Sequence, residues 1–129
     1  MQPAAAVTLL EMFADAYNRH DIDGIMALMT PDCSFLSYFG PEACGERFEG
    51  FARVRQRVAA GLADFPDARW KDLNHFVSGD RGVSEWMFRG RRRGTTEQIE
   101  RWGVDIFTFK NGRIHVKNTY QKWRRPAES

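Results

Sequence analysis

The segment RWGVDIFTFKNGRIHV, residues 101–116, constrains the fold more than any other stretch. Asn111–Gly112 lies between two apolar runs, and Asn-Gly is the strongest short hairpin signal because a type I′ turn needs positive φ at both central residues. A two-residue turn then sets a register. Lys110 faces Arg113, Phe109 faces Ile114, Phe107 faces Val116, Asp105 faces Asn118 and Gly103 faces Tyr120. Cross-strand partners share a face. One face carries Gly103, Asp105, Phe107, Phe109, Ile114, Val116, Asn118 and Tyr120; the other carries Val104, Ile106, Thr108, His115, Lys117, Thr119 and Gln121. The first is the more apolar and is expected to meet the protein interior, which turns Asp105 inward among phenylalanines. A turn one residue longer brings Lys117 across from Asp105 instead, as a salt-bridge partner.

An inward carboxylate is costly when ionised and alone. Burial raises its pKa, and hydrogen bonds to the charged form lower it again. Two readings stay open. Asp105 is a structural acid, neutralised by an internal partner or bonded to Asn118 and backbone groups. Alternatively it is a pocket acid or base tuned by burial. Asn118, as a buried amide, needs partners in either case.

The rest of the chain supplies two layers. Leu9, Leu10, Phe13, Ala14 and Tyr17 recur at helical spacing and give residues 4–19 one apolar face. Asp21 is a good N-cap for a short second helix containing Ile22, Ile25, Met26, Leu28 and Met29, with Pro31 expected to stop it. Residues 33–40 and 46–50 read as strands and residues 51–64 as a third helix. After Ala68 the period becomes alternating, with strands over 69–78, 83–91, 99–109 and 113–123 and a frayed tail beyond. The pattern predicts one α+β domain over residues 1–129, with a core of about 4–123 and helices on one face of a curved, mostly antiparallel sheet.

Composition excludes several classes. The formal charge is only +2, too small to draw the chain to nucleic acid or membrane, although RGRRRG at 89–94 makes one hairpin end basic. No run approaches a membrane span, and the first residues read as a helix start rather than a signal peptide. Cys33 and Cys44 are expected to be free thiols in a reducing cytoplasm. His20, His75 and His115 lack metal-ligand spacing, so no metal or cofactor is expected. The 17 aromatic residues suit the wall of a pocket as well as a core.

Three stretches, AYNRHDIDGIMALMTPDCSF, GERFEGFARVRQRV and GVDIFTFKNGRIHVKNTYQKWR, resemble the SnoaL-like branch of the NTF2-like superfamily. The resemblance implies a cone of curved sheet and three helices around an internal pocket, usually in a homodimer, and a range of activities that includes ketosteroid isomerases and polyketide cyclases. It places Asp105 at the position of the isomerases' protonated aspartic acid, a family that serves as the standard example of a neutral carboxylic acid donor. The isomerases' second aspartate falls at about Ser37 and their oxyanion tyrosine at about Phe13. Neither residue can do those jobs, so the standard isomerase mechanism is not expected.

The resulting expectation is a cofactor-independent isomerase, cyclase or lyase acting by acid–base chemistry on a small, mostly apolar, ring-containing carbonyl compound. Asp105 is the expected catalytic residue; Asn118, Tyr120, Tyr17, Trp86, Phe107, Phe13 and Ser37 are the expected lining. The alternatives are a small-molecule-binding module and a dimeric scaffold with a filled cavity. The apolar outward residues Val104, Ile106 and Thr108 predict a homodimer through the convex sheet face.

Overall fold

A computed structural model describes residues 1–125. Helices α1 (Pro3–Asn18), α2 (Ile22–Ala27) and α3 (Phe51–Asp64) combine with strands β1 (Met29–Leu36), β2 (Arg47–Glu49), β3 (Arg69–Ser78), β4 (Arg81–Arg91), β5 (Gln98–Lys110) and β6 (Arg113–Gln121). The six strands form one curved sheet in the order β2-β1-β6-β5-β4-β3. Every neighbouring pair is antiparallel except β1 with β6. The helices cover the concave face. The frayed tail expected beyond residue 123 lies partly outside the described residues.

The core forms where the helical stripes meet that face. Leu10 and Phe13 of α1, Ile25 and Met26 of α2, and Val54, Val58 and Leu62 of α3 close over Phe107, Phe109 and Ile114. Phe13 and Phe107 meet edge to face with centroids 5.6 Å apart, a favoured aromatic geometry. Ala68, Trp86, Phe88 and Ile99 form a second cluster, and Trp70 packs against both.

Two expectations fail locally. Pro31 does not stop α2: the helix ends at Ala27 with Leu28 as its C-cap, and β1 has already begun at Met29. Pro31 instead lies where β1 leaves its ladder with β6, between the pairs Met29–Ile114 and Ser34–Val116. A residue without an N–H is tolerated at such an irregularity.

The larger correction concerns the last hairpin. The turn forms as expected, with Asn111 at φ 53° and Gly112 at φ 74°, and Lys110 pairs with Arg113 and Phe109 with Ile114. A β-bulge at His115 then shifts the register by one. Thr108 faces Val116, Phe107 faces Lys117, Ile106 faces Asn118, Asp105 faces Thr119, Val104 faces Tyr120 and Gly103 faces Gln121. One extra residue flips every later side chain to the opposite face. Lys117 and Thr119 therefore turn inward, while Asn118 joins the outer face and Tyr120 is exposed. The bulge is held from β1, where Thr30 Oγ1 lies 2.9 Å from His115 Nδ1.

Candidate functional site

Asp105 does face the interior and is 7% exposed. Both oxygens are occupied. Oδ2 accepts from Trp86 Nε1 at 3.0 Å, and Oδ1 accepts from Thr119 Oγ1 at 2.6 Å and lies 3.0 Å from Lys117 Nζ. Lys117 Nζ also donates to Thr119 Oγ1 at 2.8 Å, so the hydroxyl accepts from the ammonium while donating to the carboxylate. The four side chains come from three adjacent strands, β4, β5 and β6, whose alternation places them on one face.

Gly103 makes the Trp86 contact possible. It lies opposite Trp86 across the β4–β5 ladder, and a Cβ there would fall 2.5 Å from the indole. Without a side chain at 103 the ring lies across β5 and its N–H reaches Asp105. Trp86 is thus a buried wall, as expected, with a second role that orients the carboxylate.

Tyr17 completes the group from α1. Its ring sits between Phe13 and Trp70, with centroid distances of 5.1 Å and 5.2 Å, and Lys117 Nζ lies 5.2 Å from its centre. Lys117 also lies 4.4 Å above the Phe35 ring, a distance at which a cation is attracted by the π-face. Burial pushes the Tyr17 hydroxyl well above the ordinary phenol range; the negative charge of Asp105 adds to this and Arg57 opposes it. The hydroxyl is a proton donor at neutral pH. Burial pulls Lys117 below the ordinary amine range, with the attraction of Asp105 acting the other way.

A cavity of about 100 Å³ opens beside this group, between α3 and the inner face of the sheet. Its apolar wall includes Phe35, Val58, Leu62, Phe65, Trp70, Trp86 and Phe88; its polar lining is Tyr17, Tyr38, Arg57, Arg101, Lys117, Thr119 and Gln121. A smaller void of about 20 Å³ lies on the other side of Lys117 and touches Phe13, Tyr17, Asp105 and Phe107. Lys117 and Tyr17 line both spaces. Asp105 reaches only the smaller one.

Of the residues expected from the sequence, Asp105, Tyr17, Trp86, Phe107 and Phe13 are brought together. Ser37 is buried but spends its hydroxyl on Phe39 O at 2.6 Å and lines neither space. Asn118 and Tyr120 bond each other at 3.2 Å on the outer face, a consequence of the bulge. Thr119, Arg57 and Arg101 were missed. Lys117 was anticipated as a salt-bridge partner of Asp105 in a register shifted by one residue; the pair forms, but through the bulge rather than a longer turn, so that Thr119 stands opposite Asp105 and Lys117 opposite Phe107.

A model of the SnoaL-like domain matches residues 10–116. The chain belongs to the SnoaL-like family. Solved structures with the same fold agree with this assignment. A Mesorhizobium loti NTF2-like protein of unknown function is 24% identical, covering 95% of each chain at a TM-score of 0.78. A Xanthomonas campestris protein named as a candidate polyketide cyclase is 19% identical, covering 92% of this chain and 90% of its own at a TM-score of 0.78. AclR of Streptomyces galilaeus, named as a candidate hydroxylase, is 20% identical, covering 95% of this chain and 82% of its own at a TM-score of 0.75. At these identities the likeness establishes the SnoaL-like fold alone, and one such fold hosts many chemistries. No curated protein matches the chain. Among the described residues, no helix of this SnoaL-like chain is long and apolar enough to cross a membrane.

Proposed function

We propose that this SnoaL-like protein is a cofactor-independent enzyme of the isomerase, cyclase or lyase type, acting on a small, mostly apolar, ring-containing carbonyl compound. The observation that carries the reading is the convergence of the Lys117 ammonium and the Tyr17 hydroxyl on one ring-lined cavity, with Asp105 clamping the lysine from beneath. A carbonyl oxygen seated between those two donors gains negative charge as a proton on the neighbouring carbon passes to a base from solvent, hydroxide or buffer, which later returns a proton to that carbon, or as a nucleophilic carbon of the same substrate adds to the carbonyl in ring closure. Donors already fixed in a water-poor site stabilise that charge without reorganising. Asp105, with three bonds made, is a positioning residue in this scheme rather than the proton carrier. The larger cavity is lined by no carboxylate or imidazole, so the chemistry supported is stabilisation of an oxyanion.

The test needs no knowledge of the natural substrate. Deuterium exchange at the carbon next to the carbonyl of cyclohexanone, indanone and tetralone is followed by NMR in heavy water. The protein is expected to speed exchange of at least one ketone. Lys117→Met is expected to lose roughly a hundredfold of that acceleration, the scale of one oxyanion donor. Binding of these ketones with no acceleration at all is the outcome that rejects the enzyme.

A binding module is the second reading, favoured by that same lack of a free base in the larger cavity. We also infer a homodimer through the convex face. Phe76, Trp102 and Tyr120 are each about half exposed there, with Val83, Val104 and Ile106 between them. Apolar area of that kind on a sheet face is commonly covered by a partner.

A further inference from the structure

The charge count of the cavity favours an anionic ligand over a neutral one of the same shape. Arg57, Arg101 and Lys117 line it, no carboxylate does, and the Asp105 beneath neutralises only the lysine. Two guanidinium groups are left over. Among the described residues neither forms an ion pair. Both are half-buried and both lie within cation–π distance of aromatic rings. Arg57, from α3, lies 5.8 Å from the centres of the Phe35 and Phe48 rings. Arg101, from β5, lies 4.0 Å over Trp123 and spends one N–H on Gln121 Oε1 at 3.4 Å. Stacking on an aromatic face occupies the plane of a guanidinium and leaves its edge donors free, and those donors match a carboxylate. Arg57 is also close enough to act on the inner group, because its charge opposes the upward shift of the Tyr17 hydroxyl and adds to the downward shift of Lys117.

We propose that the cavity takes an amphipathic anion, a small organic acid whose apolar body lies among the rings and whose carboxylate is held by Arg57 and Arg101. This rests on the pocket reading above and narrows its substrate class. The acid end sits at the arginines, and the body extends toward Tyr17 and Lys117, where a second oxygen meets the donors. Recognition of this kind separates an acid from its own amide, two molecules of nearly equal shape.

Calorimetry and thermal shift compare phenylacetate and cinnamate with phenylacetamide and cinnamamide. The acids are expected to bind at least roughly tenfold more tightly than the amides, the advantage of one good charge-assisted contact. The preference is expected to weaken as salt rises. In the double variant Arg57→Gln, Arg101→Gln it is expected to fall to within roughly twofold, with amide binding kept as the sign that the pocket is intact. Equal binding of acid and amide by the native protein overturns the anion proposal and leaves the pocket reading standing. Binding of neither overturns both. An undiminished acid preference in the double variant overturns the assignment to these two arginines.

Discussion

Asp105→Asn isolates what the carboxylate does for Lys117. The substitution keeps the shape and removes the charge. One amide orientation still offers an oxygen to Thr119 and Lys117, but its NH2 then meets the Trp86 N–H, donor against donor, where Oδ2 accepted at 3.0 Å. The greater cost is the ammonium left buried without its counter-charge, since removing one member of a buried pair costs about 3–5 kcal/mol. Lys117 can escape by losing its proton, which at pH 7 costs about 4.6 kcal/mol against an unfolded-state pKa of about 10.4. That sets a ceiling close to the first figure. The sign of the pH dependence follows. The folded variant binds one proton fewer than its unfolded chain, so its stability rises by about 1.4 kcal/mol per pH unit below about pH 10. In the native protein burial also pulls Lys117 below the ordinary amine range, but the attraction of Asp105 opposes this, so the same slope begins at a higher pH than in the variant. The penalty of the substitution is therefore about 3–5 kcal/mol at pH 7 and smaller at pH 9. Urea melts followed by tryptophan emission, run at both pH values, read it directly. A penalty below about 1 kcal/mol, or one that does not change with pH, would falsify the buried-pair reasoning.

Two further outcomes follow from packing and surface. Gly103→Ala places a methyl 2.5 Å from the Trp86 ring and 2.6 Å from the Tyr120 carbonyl oxygen, so the indole must leave Asp105; a loss of about 1–3 kcal/mol in urea melts and a red-shifted emission are expected, and native stability with unchanged emission contradicts the placement. Light scattering of the native protein is expected to give twice the sequence mass, and Trp102→Glu with Ile106→Glu to give a monomer of unchanged circular dichroism; a native monomer removes the convex interface.

Local signals were enough for most of the frame. The stripe Leu9, Leu10, Phe13 specifies a helix with one buried face, and Asn111–Gly112 specifies the turn, because both depend on residues close in sequence. The bulge at His115 does not. It coincides with the place where the parallel neighbour β1 departs between Met29 and Ser34, so that four residues of one strand stand against one of the other. Asp32 of that departing stretch lies 3.5 Å from His115 Nδ1, beside the Thr30 contact. Within residues 101–121 the need of an inward Asp105 for a cation leaves the slipped register open, but nothing there places a bulge at His115. Arg57 and Arg101 were illegible for the same reason: each looks like a surface arginine until Phe35, Phe48 and Trp123 arrive from distant parts of the chain.

The slip of one residue changes the kind of chemistry as well as the contacts. In the unbulged register an amide and a phenol flank Asp105, and the acid is left as the strongest group in the site, suited to a neutral ketone. In the folded chain an ammonium and a hydroxyl flank it, and the carboxylate is consumed in holding them. What faces the cavity is then positive: Lys117 at its floor, with Arg57 and Arg101 also in its lining. A positive, ring-lined hollow stabilises negative charge wherever it appears, on a bound carboxylate or on an oxygen during reaction. The same residues that select an acid thus favour the charged form of whatever carbonyl it carries, so binding preference and the proposed oxyanion chemistry have one electrostatic origin. Removing the two arginines is then expected to weaken binding of the acid more than exchange in a neutral ketone, whereas Lys117→Met does the reverse.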